Sequence, residues 1–417
     1  MTAFADRLPL LRAEAAAEHA ATLTDLQPLV ERESPSSDLP SLRAFADQLL
    51  EWVSEVLGPL GRAERVDHSE HGPTLVIEVP GSIPGRVVVV GHYDTVWPLG
   101  TLDSIPFSVD EGIVRGPGVL DMKAGLVTGV RALRFAQRHG LPHPTVTFVF
   151  NGDEELGSRA SRPIIEREAA GALAGLVLEP GVDWDLKVER KGVGVFTIRA
   201  TGVESHSGND PAGGASAINA LAEVILQLSA GSDYEAGTSL NVGLIRGGSA
   251  RNVIAGSAEA EVDVRVTTAA EAERIDALLS SLIITDERVA LSVDGGWNRP
   301  PMTVTSASTE LIAGVQHAAE KVRSRLGLRA VGGGSDANFI SAMGIPVLDG
   351  LGASGNGPHA RSEHVIEDDI DDRILLLTGI LTTAFTPSDL DVGDLDRRSD
   401  SESARLAGVR AATTPPL

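Results

Sequence analysis

Apolar residues recur every three or four positions across residues 4–57, interrupted at Ser34-Pro35-Ser36-Ser37, and this spacing predicts two amphipathic helices. Beyond them, short apolar runs alternate with helical stretches. Leu75–Val79 and Arg86–Val90 read as strands, the second apolar enough to be buried on both faces. Met122, Leu126, Val130 and Leu133 share one face of a helix predicted over Met122–Arg138, which Gly140 stops. Thr145–Phe150 reads as a strand, Ser161–Glu168 as a helix and Gly175–Leu178 as a short strand. Strands alternating with helices predict a mainly parallel sheet covered on both faces, an α/β fold.

The pattern changes after Pro180-Gly181. Lys187–Ala200 reads as strand, Ala215–Leu228 as helix and Ser239–Ile245 as strand. Ala258, Ala260, Val262, Val264 and Val266 then alternate with polar residues, the period of a half-buried strand. A helix over Ala269–Leu282 and a strand over Arg288–Val293 follow, giving the β-α-β-β-α-β order of a ferredoxin-like domain. Gly295-Gly296 and Pro300-Pro301 read as its exit, and helix–strand alternation resumes at Ser306. The expected organisation is therefore an α/β domain in two parts, 1–182 and 299–386, with an α+β domain inserted at 183–298. A tail at 387–417, poor in large apolar residues, is expected to be disordered.

Composition narrows the chemistry. With 35 Lys and Arg against 58 Asp and Glu, the 417-residue chain carries a formal charge of −23, which argues against nucleic acid or an anionic membrane as partner. It has no cysteine, so disulfides, thiolate metal sites and a Cys nucleophile are excluded, and any metal must be held by His, Asp and Glu. The start lacks a signal-peptide pattern and runs such as Val87–Val90 are too short to span a bilayer, so a cytoplasmic location is expected. His-Glu-x-x-His, Gly-x-Ser-x-Gly and P-loop motifs are absent.

Four polar clusters fall at equivalent places. Strand Arg86–Val90 runs into Gly91-His92-Tyr93-Asp94, strand Thr145–Phe150 into Asn151-Gly152-Asp153-Glu154-Glu155, and strand Gly175–Leu178 into Glu179-Pro180. Gly116-Pro117-Gly118-Val119-Leu120-Asp121 ends where the Met122 helix is predicted to start. An open α/β sheet lines its ligand crevice with groups just past the carboxyl ends of its strands. Five carboxylic acids and one imidazole crowded there would each cost several kcal/mol unless protonated or filled by cations. Imidazole and carboxylate without thiolate suit zinc, cobalt or manganese, and a bridging carboxylate suits a two-metal site. An isolated Asp-Glu-Glu would be a solvated turn; its place after an apolar strand, among the other clusters, sets this one apart.

These residues resemble the zinc-dependent M20 metallopeptidases, most closely the glutamate carboxypeptidase (carboxypeptidase G) branch. The motifs are His92-Tyr-Asp94-Thr-Val, Gly116-Pro-Gly-x-x-Asp121-x-Lys123-x-Gly125, Asp153-Glu154-Glu155-x-Gly157-Ser158, Glu179-Pro180 and Gly357-Pro-His359, in order along the chain up to about residue 385. The resemblance implies a zinc-peptidase-like α/β/α catalytic domain with an inserted ferredoxin-like dimerisation domain. It implies two Zn²⁺ per subunit, His92 and Glu179 on one, Glu155 and His359 on the other, and Asp121 bridging. Co²⁺ or Mn²⁺ would suit the same donors. Asp94 would orient His92, and Glu154 would be the general base acting on water. The Asp121–Met122 bond is often cis in the family.

The resemblance extends to substrate contacts. His206, in Ser205-His206-Ser207-Gly208, would stabilise the oxyanion in a partner subunit's site, so a homodimer is implied. Asn252 would touch substrate and Arg299 would clamp its carboxylate, a task suited to the planar guanidinium. Gly332-Gly-Gly-Ser335-Asp336 is similar to a Gly-rich loop near the substrate backbone, and Ala255 stands where the family usually has Pro. The implied activity is release of a C-terminal amino acid from a peptide or N-acyl amino acid. A deacylase or desuccinylase of the same family, or a metal-free non-enzymatic relative, are the alternatives.

Overall fold

The computed structural model describes residues 3–385, and the tail expected at 387–417 lies outside the described residues. Two compact units emerge. The first comprises residues up to 189, 304–330 and from 335 onward; the second comprises 190–303 with 331–334.

The first unit opens with helices α1 (Ala3–Glu31) and α2 (Leu39–Leu57), the second capped by Asp38, whose carboxylate accepts from Ser41 N–H. Strands β1 (Arg62–Val66), β2 (Gly72–Val79), β3 (Arg86–His92), β4 (Thr145–Gly152), β5 (Ala174–Val177) and β6 (Val347–Leu348) form one sheet, ordered β1-β2-β4-β3-β5-β6. β4, β3, β5 and β6 run parallel, while β1 and β2 add an antiparallel edge. Val87, Val88, Val89 and Val90 of β3 are all buried, as expected of a central strand covered on both faces. Helix α3 (Ala124–Arg138) packs against the helix Glu367–Thr383, where Thr378 Oγ1 donates to the Ala132 carbonyl at 3.1 Å.

The second unit has a four-stranded antiparallel sheet in the order Ser239–Gly247, Ser257–Val266, Gly192–Thr201, Ala290–Arg299, with helices Ala217–Ala230 and Ala269–Ser280. This is the ferredoxin-like β-α-β-β-α-β order. The alternating Ala258, Ala260, Val262, Val264 and Val266 are buried against those helices.

Three local readings change. The strand expected over Lys187–Ala200 is two strands in different sheets, Leu186–Arg190 pairing with Leu328–Val331 and Gly192–Thr201 in the ferredoxin-like sheet. Gly295-Gly296 is not an exit but lies inside the strand Ala290–Arg299. Gly295 has φ +108° and an added Cβ would stand 2.2 Å from the Val195 carbonyl, so the neighbouring strand demands glycine. The helix expected from Met122 starts at Ala124, because Asp121 and Met122 carry non-helical dihedrals across a cis peptide bond. Among the described residues no helix is long and apolar enough to cross a membrane.

His19 of α1, to which sequence gave no role, lies 3.1 Å from both Glu367 and Asp371 of the last helix. Burial pulls its pKa down, but the two carboxylates outweigh it and raise the value above the ordinary one. A raised folded-state pKa stabilises the protein fully below the unfolded value of ~6.5 and loses that stabilisation as pH rises through the raised value. His19→Gln is therefore expected to cost up to ~1 kcal/mol at pH 6 and less at pH 9, read from urea midpoints at the two pH values. An equal cost at both would refute the charge pairing.

Candidate metal centre

Three parallel strands end side by side at this centre. His92 closes β3 opposite Asn151 of β4, and Val90 stands opposite Val177 of β5. Because β3 lies between β4 and β5, His92 is flanked by Glu154 and Glu155 on one side and Glu179 on the other. Asp121 arrives from the turn Val119–Lys123 that precedes α3. Gly125, in the first turn of α3, lets the helix approach so closely that an added Cβ would stand 2.2 Å from the Leu178 carbonyl, next to Glu179. His359 comes from the loop after Gly357 and adopts φ +60°.

Asp121 divides its carboxylate between two imidazoles. Its Oδ1 is 3.1 Å from His92 Nε2 and its Oδ2 is 3.4 Å from His359 Nε2. Each imidazole has a second carboxylate beside it: Glu179 Oε1 at 3.7 Å from His92 Nε2, and Glu155 Oε1 at 3.2 Å from His359 Nε2. His92, Asp121 and Glu155 offer donor atoms within 4.8 Å of one another, as do His92, Glu154 and Glu179. The donors are oxygen and imidazole nitrogen with no thiolate, they converge from five segments of the chain, and they fit borderline divalent cations.

The electrostatics record the crowding. Burial would lower the His92 pKa, but the hydrogen bonds to Asp121 and Asp94 outweigh it and hold the ring well above its ordinary value. His359, facing Asp121 and Glu155, is pushed up to about 10. Burial would raise Asp121, yet the two imidazoles hold it far below the usual carboxylate range; burial raises Glu155.

Buried carboxylates brace these loops. His92 Nδ1 lies 3.0 Å from the Asp94 main-chain carbonyl and 3.5 Å from its Oδ1, so the main chain is the nearer orienter of the ring. The Asp94 carboxylate instead accepts the Glu154 and Glu155 amides at 3.1 and 3.2 Å, and Ser36 Oγ at 2.8 Å. Glu363, which sequence reasoning missed, accepts the amides of Gly118, Leu120 and Asp121 and the Trp97 indole N–H. Burial pushes its pKa up against those four donors. With no acceptor among them for a carboxyl proton, the carboxylate is the form that fits. The sequence signal was faint: a Gly-Pro-Gly turn whose N–H groups need an acceptor that the turn itself does not contain.

Asp336, at the end of the Gly-rich loop, has a buried side chain. It accepts from Asn151 Nδ2 at 2.6 Å and from Ser158 Oγ, bracing the turn that carries Glu154 and Glu155. His364, a near neighbour of His359, bonds the Ser362 carbonyl at 2.8 Å through Nδ1.

The other substrate-contact candidates lie in the second unit. Ser205–His206 pairs with Val253–Ile254, and the Asn252 carbonyl accepts from Ser207 N–H at 3.0 Å, so His206 and Asn252 are neighbours. His206 Nδ1 accepts the Gly208 and Asn209 amides at 3.1 Å each, which puts the ring proton on the exposed Nε2. Arg299 is buried at the end of its strand opposite Val193, its side chain against Gly334.

An α/β sheet whose strand ends carry a compact set of imidazole and carboxylate donors is the arrangement that a metal-dependent hydrolase would need. The profile of peptidase family M20/M25/M40 matches residues 88–383, and the chain belongs to that family, whose members act on peptide or amide bonds. It is 28% identical to carboxypeptidase G2 of Pseudomonas sp. (strain RS-16) over 360 residues, covering 84% of this chain and 85% of that protein. It is 27% identical to succinyl-diaminopimelate desuccinylase 2 of Shewanella loihica, over 76% of this chain and 89% of that one. Among solved structures, an M20 family metallo-carboxypeptidase from Sulfolobus solfataricus superposes with a TM-score of 0.71 at 17% identity, covering 87% of this chain and 99% of that one.

Proposed function

We propose that this protein is a two-metal hydrolase releasing a C-terminal amino acid from a peptide or N-acyl amino acid, with zinc the first candidate metal and Co²⁺ or Mn²⁺ able to replace it. The carrying observation is the Asp121 carboxylate, one oxygen toward each of two imidazoles, each with its own further carboxylate. His92 and Glu179 would hold one ion, His359 and Glu155 the other, and Asp121 both. When bound, the ions supply Lewis-acid polarisation of the scissile carbonyl and a water of pKa lowered towards ~7.

Glu154 takes a proton from the attacking water and returns it to the leaving amine. Asp94 fixes Glu154 by holding its amide. His206, with its proton on Nε2, donates to the oxyanion, Asn252 contacts the substrate beside it, and Arg299 binds the α-carboxylate of the departing residue. Arg299 pairs near the start of the strand Gly192–Thr201 and His206 follows its end. Eight residues of strand separate those ends by ~26 Å, which favours His206 serving the site of a second copy in a homodimer.

The resemblance of the motifs to the glutamate carboxypeptidase branch favours an acidic C-terminal residue, and the similarity to the desuccinylase keeps N-succinyl diamino acids as the second reading. A hydrolysis screen over both substrate sets with added Zn²⁺, Co²⁺ or Mn²⁺ tests the proposal. C-terminal free acids should be cleaved and their amides spared. Arg299→Ala should lower kcat/KM for the free acids by ~10–100-fold, the worth of a charge-assisted hydrogen bond. Equal cleavage of acids and amides by the parent would refute the clamp.

A further inference from the structure

We infer that Glu363 is a positioning residue that sets the bridging carboxylate, by stapling together three of the loops that carry the candidate metal donors. The inference rests on the two-metal reading above and extends it to a residue outside the donor set.

Its two oxygens are fully used. Oε1 accepts Leu120 N–H at 2.9 Å and Asp121 N–H at 3.1 Å; Oε2 accepts Gly118 N–H at 3.1 Å and Trp97 Nε1–H at 2.8 Å. The side chain is 2% exposed, so water does not share the task. Three of those donors are main-chain amides of the turn that presents Asp121. The fourth is Trp97, five residues beyond His92, and Glu363 itself lies four residues beyond His359. One carboxylate thus ties together the loop of Asp121 and the loops of His92 and His359, the two imidazoles between which the Asp121 oxygens are divided.

Only a carboxylate meets this demand. Each oxygen must accept two N–H groups, and nothing in the set accepts a proton. A carboxamide satisfies one pair and points an NH₂ at the other, leaving two buried donors opposed. The Asp121 oxygens can serve two imidazoles only if the peptide unit carrying them is held in place, and partners behind metal ligands commonly govern affinity by 10–100-fold.

The test is Zn²⁺ titration of metal-stripped parent, Glu363→Gln and Trp97→Phe proteins, by calorimetry and by competition with a chromophoric chelator. Circular dichroism and urea unfolding serve as fold controls. Glu363→Gln is expected to bind Zn²⁺ ~10–100-fold more weakly in at least one of two equivalents. Its kcat should be lowered at sub-saturating zinc and recover in part at excess zinc, with KM little changed. Trp97→Phe removes one donor and keeps the carboxylate and its three amides; it should weaken zinc by a smaller factor, and it carries the test if Glu363→Gln does not fold. If the folded variants bind two equivalents within threefold of the parent, the staple is refuted. If the parent itself takes up no zinc, cobalt or manganese, the two-metal reading fails instead.

Discussion

Glu154→Gln is expected to slow turnover at least ~100-fold while leaving fold and metal content intact. The substitution keeps the side chain's size and removes only its ability to take a proton. The main chain at this position is set by the Asp94 carboxylate through the Glu154 amide at 3.1 Å, a bond the substitution does not touch. The experiment also separates two roles that the geometry allows. Glu154 places an oxygen within 4.8 Å of donor atoms of His92 and Glu179, near enough to ligate an ion or to act on a water beside it. Retained metal with lost turnover assigns the base; lost metal assigns a ligand. Turnover within tenfold of the parent would remove Glu154 from the reaction altogether. Metal content by mass spectrometry and kcat at saturating zinc are the two readouts.

Asp121→Asn should be the most damaging change to metal binding. Asp121 offers a separate oxygen to each imidazole, one 3.1 Å from His92 and the other 3.4 Å from His359. The amide keeps one oxygen and turns an NH₂ toward the other ring, so neither half retains its charge and one loses its donor. Outer partners of metal sites typically account for 10–100-fold in affinity, and a shared ligand should exceed that, at least ~100-fold for one of the two equivalents. Equilibrium dialysis against zinc measures it. Two equivalents held at parental affinity would show that the bridge is unnecessary.

Much of this arrangement was legible because the sequence pattern and the chemistry coincide. Four consecutive valines announced a strand buried on both faces, and the polar residues just past it had to stand at the sheet's carboxyl edge. The alternating residues 258–266 announced a half-buried strand by the same periodicity. Less legible were features set by contacts distant in the chain. Periodicity starts α3 at Met122, two residues before the helix begins, because it does not reveal the non-helical dihedrals of Asp121 and Met122. Gly295-Gly296 reads as a break because glycine signals turns, whereas Gly295 makes room for the adjoining strand. Glu363 carries no local signal at all: its partners lie 242 or more residues away, and no local pattern encodes such a pairing.

The backbone of His359 adds a consequence of its own. At φ +60° a histidine sits where glycine or asparagine would be more comfortable, a tension of roughly 1 kcal/mol or more that the loop carries continuously. Glycine at this position would release that tension, and the imidazole that the proposed site asks for would go with it. His359→Gly is thus expected to raise the urea midpoint while weakening metal uptake, so that stability and the proposed chemistry pull this one backbone position in opposite directions.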